Sequence, residues 1–263
     1  MIHICAIVKN EIPYIRHWVD YHFNLGVDRI TLFIHESDPE PYRQILPYKE
    51  VELIEWNLHW RRNFRPQIRA YDHFIKLNQR DNDYSFFIDI DEYITAPANT
   101  SSSLSALVDK MAKFERDGFA LPWVYYNANG HLHYEDKPVT ERFTRISPYK
   151  RTGGYIKSFV KNTSIVSASI HLTRTKRGIV DQNGNDNVSQ DHNEYGVPTL
   201  ELCQKNGWWY IRHYFTKSWE EFISRRIFNS DVNGRFLEPD KFFKHNPDLA
   251  YFKKQLIENI NFD

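Results

Sequence analysis

Phe86-Phe87-Ile88-Asp89-Ile90-Asp91-Glu92 decides the fold: a short, strongly apolar strand runs straight into two carboxylates at i and i+2. Apolar residues on consecutive positions fit a strand buried on both faces of a parallel sheet, where alternation is lost. The opening run Ile2-His3-Ile4-Cys5-Ala6-Ile7-Val8 has the same character and ends at Lys9-Asn10-Glu11. Between these two runs, residues 29–34 and 51–54 read as further strands. Pro13 starts a helix with Ile15, Trp18, Val19, Phe23 and Leu25 at helical spacing, Gly26 stops it, and Pro66 starts another helix through Asn78. The alternation predicts an α/β fold with a mainly parallel central sheet, helices on both faces and a ligand crevice at the carboxyl ends of the strands. Lys9-Asn10-Glu11 and Asp89-Ile90-Asp91 both fall at that crevice.

Further along, Thr100-Ser101-Ser102-Ser103 is a polar break expected to cap a helix reaching Phe114, and residues 119–126 read as a strand. Residues 139–146, 155–160 and 165–171 read as short β pieces between polar turns, and residues 176–198 as a long loop of the functional or mobile kind. Residues 208–214 form the expected last strand. Ser218-Trp219-Glu220-Glu221 has the capping-box pattern, and residues 249–260 form an amphipathic helix.

Composition narrows the function. The 263 residues are 41% hydrophobic and 26% charged, which excludes a disordered chain, and 34 basic against 34 acidic residues leave no excess cation for a nucleic-acid footprint. Two cysteines, Cys5 and Cys203, with Cys5 in an apolar run, argue against a disulfide framework and fit a cytoplasmic protein. The first apolar run is too short to span a membrane and lacks the features of a signal peptide. Aromatic residues make up 16% of the chain, serving as core-fillers and as faces for sugars or bases.

Two carboxylates at i and i+2 after a buried strand can hold a hard divalent cation with a diphosphate on its other side; a solvated helix-capping turn has the same pattern. His213 ends an aromatic strand, where imidazole serves either a core hydrogen bond or a metal. Lys217 stands beside a helix start, where an ammonium and the helix N-terminus favour a departing diphosphate. Glu141 is open to two roles: a general base, or an ion-pair partner of Arg142, Arg145 or Lys157.

Taken in order, several pieces resemble glycosyltransferase family 92 and the related GT-A-fold transferases of the family 2 type. They are Ala6-Ile7-Val8-Lys9-Asn10-Glu11, Trp18-Val19-Asp20-Tyr21-His22, Leu25-Gly26-Val27 and Phe87-Ile88-Asp89-Ile90-Asp91-Glu92-Tyr93. Glu141-Arg142-Phe143, Lys157-Ser158-Phe159-Val160 and Arg212-His213-Tyr214-Phe215-Thr216-Lys217-Ser218 complete the set, which covers residues 4–226. The resemblance implies a GT-A, Rossmann-like single domain over residues 1–230, with a nucleotide-sugar half to residue 100, an acceptor half beyond it and a helical extension at residues 231–263.

It also implies metal-dependent, inverting transfer of a sugar from a UDP-sugar to a hydroxyl of a glycan or lipid-linked glycan, as in surface polysaccharide synthesis at the inner face of a membrane. By likeness, Asp89 contacts ribose or metal, Asp91 and His213 ligate Mn2+ or Mg2+, and Lys9, Asn10 and Glu11 line the nucleotide corner. Gln67 and Tyr71 resemble positions facing the donor. Glu141 is the first candidate base, with Asp191 and Glu194 in reserve. Trp123, Tyr125 and Tyr126 precede Asn127-Ala128-Asn129-Gly130, where Asn replaces the family's smaller residues and the acceptor's identity does not carry over. A haloacid-dehalogenase-type phosphatase also uses paired Asp, but on the first strand and before a Gly turn. A non-catalytic carbohydrate-binding module fits the aromatic content and leaves Asp91, His213 and Lys217 without a joint purpose.

Overall fold

Burial on both faces makes Ile2–Val8 the central strand, β1, in the computed structural model, which describes residues 1–58, 65–98, 103–149, 155–186 and 200–260. After it come α1 (Ile12–Asn24), β2 (Arg29–Ile34), α2 (Glu40–Ile45), β3 (Val51–Glu55) and α3 (Pro66–Asn78). The chain continues through β4 (Tyr84–Phe87), β5 (Glu92–Thr95), α4 (Ser105–Met111), β6 (Gly118–Tyr125), α5 (Val139–Arg142) and β7 (Ile156–Lys161). It ends with β8 (Ile165–Ala168), β9 (Thr173–Thr175), β10 (Ile179–Val180), α6 (Leu200–Asn206), β11 (Tyr210–His213), α7 (Trp219–Phe222), α8 (Asp240–His245) and α9 (Lys253–Glu258).

Among the described residues the main sheet has nine strands in the order β3-β2-β1-β4-β7-β6-β11-β5, with β10 beside β6. β1 pairs in parallel with β2 and β4, and β2 with β3, as the consecutive apolar runs require. Beyond β4 the sheet turns mixed, because β7 runs antiparallel to both β4 and β6. Cys5 is level with Phe87, so Lys9 and Asp89 leave the same end of two adjacent strands. No helix of the described residues is long and apolar enough to cross a membrane.

The chain divides into two compact units, Met1–Val124 with Arg151–Arg212, and Tyr125–Lys150 with His213–Asp263. In the first, the family-like Trp18-x-x-Tyr21-His22 face of α1 fixes β5. Trp18 Nε1 donates to Glu92 O at 2.8 Å, Tyr21 Oη to Ile94 O at 2.8 Å, and Ile94 N to His22 Nε2 at 3.3 Å. Gly26, at φ +100°, then turns the chain away from the helix, a conformation other residues adopt at a cost. On α3, Tyr71 and Phe74 pack on Phe87 with ring centroids 4.9 and 5.6 Å apart.

In the second unit, Ala128, Trp219, Phe222, Phe242, Phe243, Leu249 and Ile260 form one core. Residues 231–260 therefore supply much of that core through α8 and the turns after it. The capping box at Ser218 is present in both directions, Glu221 N donating to Ser218 Oγ at 3.3 Å and Ser218 N to Glu221 Oε2 at 3.1 Å. The expected single helix over 249–260 is a 3-10 segment, Pro247–Phe252, followed by the short α9.

One expectation fails outright: 139–146 is not a β piece. Pro138, at φ −51°, leads into the helical turn α5, and only Ile146 keeps a β-bridge, to Tyr126. The turn is held by a long-range contact that β propensity cannot register, a buried fork between Arg142 and Glu221.

Candidate active site

The Asp89-Ile90-Asp91 turn is built by backbone closure, Glu92 N donating to Asp89 O at 3.0 Å as the chain enters β5. Beneath it lies Lys157, an ammonium at the second position of β7 and 1% exposed. Its Nζ stands 3.2 Å from Asp89 Oδ2 and 3.1 Å from Glu92 Oε2. Glu92 Oε2 also accepts the Asp89 N–H at 2.9 Å, and Gln67 Nε2 donates to Asp89 Oδ1 at 2.7 Å and to Tyr71 Oη at 2.9 Å. Burial opposes the charge on Lys157, but Asp89 and Glu92 outweigh it and raise its pKa, so the ammonium persists. Burial likewise pushes the Glu92 carboxyl up, against the pull of Lys157. Asp89 is the open end of this network, 29% exposed, while Asp91 is buried.

The corner after β1 is equally ordered. Lys9 Nζ pairs with Glu36 Oε2 at 2.8 Å, Asn10 exchanges hydrogen bonds with Ser37, and Glu11 N donates to Tyr42 Oη at 3.0 Å. Asn10 and Glu36 both take left-handed backbone, at φ 56° and 46°, a strain that clusters at functional turns. Glu11, not Asn10, is the residue before α1, and no side chain caps that helix.

In the second unit Lys217 is buried and left-handed at φ 53°, immediately before the capping box. Glu221 closes that box and takes the Arg142 guanidinium on both oxygens, at 2.7 and 2.9 Å. Burial alone would raise the Glu221 carboxyl; Arg142, Ser218 and Lys217 hold it down at about 2. Arg142 pairs with Glu221 and Lys157 with Asp89 and Glu92, and Glu141 pairs with neither of these nor with Arg145, so the ion pair expected for Glu141 is not formed. Glu141 is exposed. His213 lies against Tyr125 with ring centroids 5.1 Å apart and planes tilted by 31°, and its carbonyl accepts the Tyr126 N–H at 3.0 Å. Burial, with Lys241 and His213 nearby, pushes His245 down to about 3, so its ring is neutral. Asp191 and Glu194 lie outside the described residues, as do Thr100–Ser102 (residues 100–102).

The model of glycosyltransferase family 92 matches residues 4–234. The chain belongs to that family. A family 92 protein of Oryza sativa subsp. japonica is 21% identical over 223 residues, covering 83% of this chain and 34% of its own length. One of Arabidopsis thaliana is 27% identical over 189 residues, covering 67% of this chain and 32% of its own. The chain therefore spans about a third of the length of the curated relatives it matches. Among solved structures, HddC from Yersinia pseudotuberculosis complexed with GMP-PN aligns over 95% of this chain and all of its own, at 11% identity and a TM-score of 0.41.

Within this family 92 chain, the structure gathers Asp89, Gln67 and Tyr71 at one network and Lys9, Asn10 and Glu11 at the neighbouring strand end. The residue sequence reasoning missed is Lys157 as the centre of that network, together with Glu92. The signal was there: Ile156-Lys157-Ser158-Phe159-Val160 carries a charge in a run with Ile156, Phe159 and Val160, and a charge buried there needs a counterion.

Proposed function

We propose that the chain is a glycosyltransferase that moves a sugar from a UDP-sugar to a hydroxyl of a glycan acceptor with inversion. The observation that carries this is the Asp89–Lys157–Glu92 network at the carboxyl ends of β1 and β4 in a chain of family 92. In the reaction the acceptor oxygen bonds to the anomeric carbon, the bond from that carbon to the diphosphate breaks, and a base takes the hydroxyl proton. In this reading Asp89 and Gln67 take the nucleotide side, and by likeness to the family Lys217 has the role of stabilising the developing phosphate charge and Glu141 that of the base.

The cation implied by the resemblance does not find a ready cage. Each Asp89 oxygen takes one donor, Lys157 or Gln67, and among the described residues no three His, Cys, Asp or Glu side chains stand together to hold a metal ion. Calorimetry of UDP with and without Mn2+, on wild type and Asp91→Ala, tests the assignment together with transfer to a glycan panel. UDP binding together with transfer to a glycan supports it, whether or not Mn2+ is added; Mn2+ dependence that Asp91→Ala removes, with the fold retained, assigns a cation to Asp91, and a folded Asp91→Ala protein with wild-type transfer overturns any role of Asp91. Binding of free saccharide without any affinity for UDP overturns the enzyme reading.

A further inference from the structure

Trp123 lies at the end of β6, and its N–H donates to Tyr155 O at 3.0 Å, extending the β6–β7 ladder by one rung. Tyr155 is two residues before Lys157, so both side chains leave the same face of that ladder. His171, between β8 and β9, stacks on Tyr155 with centroids 4.2 Å apart and planes 18° from parallel. Trp123 meets both rings edge-on, at 5.2 Å from Tyr155 and 4.9 Å from His171. The Lys157 ammonium connects this corner to the carboxylates, lying 5.7 Å from the Trp123 ring and 3.2 Å from Asp89.

These rings are unlike the aromatic residues further along the same two strands. Phe119 and Phe159 are fully buried, whereas Tyr155 and His171 remain half-buried beside an open carboxylate. The part-exposed Tyr155–His171 stack, backed by the buried Trp123 and next to a hydrogen-bond acceptor, suits a ligand with an apolar C–H face and a rim of hydroxyls. We infer that Tyr155 and His171, backed by Trp123, form a platform for a pyranose ring, with Asp89, held by Lys157, accepting from the ring's hydroxyls. The ligand class rests on the glycosyl-transfer reading above. The ring is either the hexosyl group of the donor or a hexose of the acceptor.

The test compares UDP, UDP-glucose, UDP-galactose, methyl β-glucoside and methyl β-galactoside by calorimetry and saturation-transfer NMR on wild type, Tyr155→Ala, Tyr155→Phe and His171→Ala. At least one pyranose-bearing compound is expected to show saturated ring protons and to bind about two- to tenfold more weakly to Tyr155→Ala. Tyr155→Phe, which keeps the ring, should bind it as wild type does, and UDP affinity should stay within about twofold throughout. Loss confined to the UDP-hexoses assigns the donor sugar; loss confined to the methyl glycosides assigns the acceptor. If Tyr155→Ala fails to fold, His171→Ala carries the same comparison. UDP binding with no pyranose response to either variant overturns the platform and leaves the donor reading standing. Glycoside binding that responds to the variants, with no UDP binding, overturns the donor reading and leaves the platform.

Discussion

Replacing Glu221 by Gln removes one charge from a pair sealed inside the second unit. The side chains of Arg142 and Glu221 are 1% and 3% exposed, so solvent screens little of their interaction. The carboxyl is held at about 2 in the folded protein against an ordinary 4.5. That difference contributes about 3 kcal/mol at pH 7 by linkage. Because the folded value is the lower one, the contribution is complete above pH 4.5 and drains away as pH falls toward about 2. Glu221→Gln is therefore expected to lose about 3 kcal/mol in urea unfolding at pH 7, followed by tryptophan fluorescence, and the gap to wild type should shrink by about half at pH 3. Gln keeps the capping acceptor at this helix start, so the loss reports the charge and not the cap. A gap below about 1 kcal/mol at pH 7, or one that widens in acid, refutes the reasoning.

Lys157→Met strands Glu92 as an uncompensated buried acid and should cost about 3–5 kcal/mol, while Lys157→Met with Glu92→Gln should regain at least half of it. A double variant no more stable than the single one would show that the two are not coupled. Lys217→Gly should be about 1 kcal/mol more stable than Lys217→Ala, because glycine takes the left-handed backbone without strain. Both should lower kcat about 100-fold, and an effect on KM alone would mean uniform donor binding. Glu141→Gln, at an exposed position, should keep stability within about 0.5 kcal/mol yet lose about 10²- to 10⁴-fold in transfer if Glu141 is the base; full activity would remove it from that role.

The strands around β1 were legible because complete burial leaves a local mark, an unbroken apolar run. The Ser218 helix start was legible for a similar reason: a capping box is closed within four residues. Lys157 was visible only as an oddity, since its two carboxylates lie far from it in sequence and no local pattern records their distance. Val139 and Thr140 argued for strand by their β-branched side chains, and Pro138 together with the Arg142–Glu221 fork decided otherwise. What the sequence hides, in each case, is a contact between residues many positions apart.

The second unit is assembled from two distant stretches, and this bears on how the protein comes into being on the ribosome. The Ala128 N–H finds Asn246 Oδ1 118 residues later, and Arg142 finds Glu221 79 residues later. At typical elongation rates the earlier stretch emerges on the order of ten seconds before its partners. During that interval the Ala128 N–H lacks Asn246 and Arg142 lacks its counterion, so the first stretch of the second unit cannot complete its contacts until the second is made. Synthesis from one end and refolding of the whole chain from denaturant should thus differ in yield.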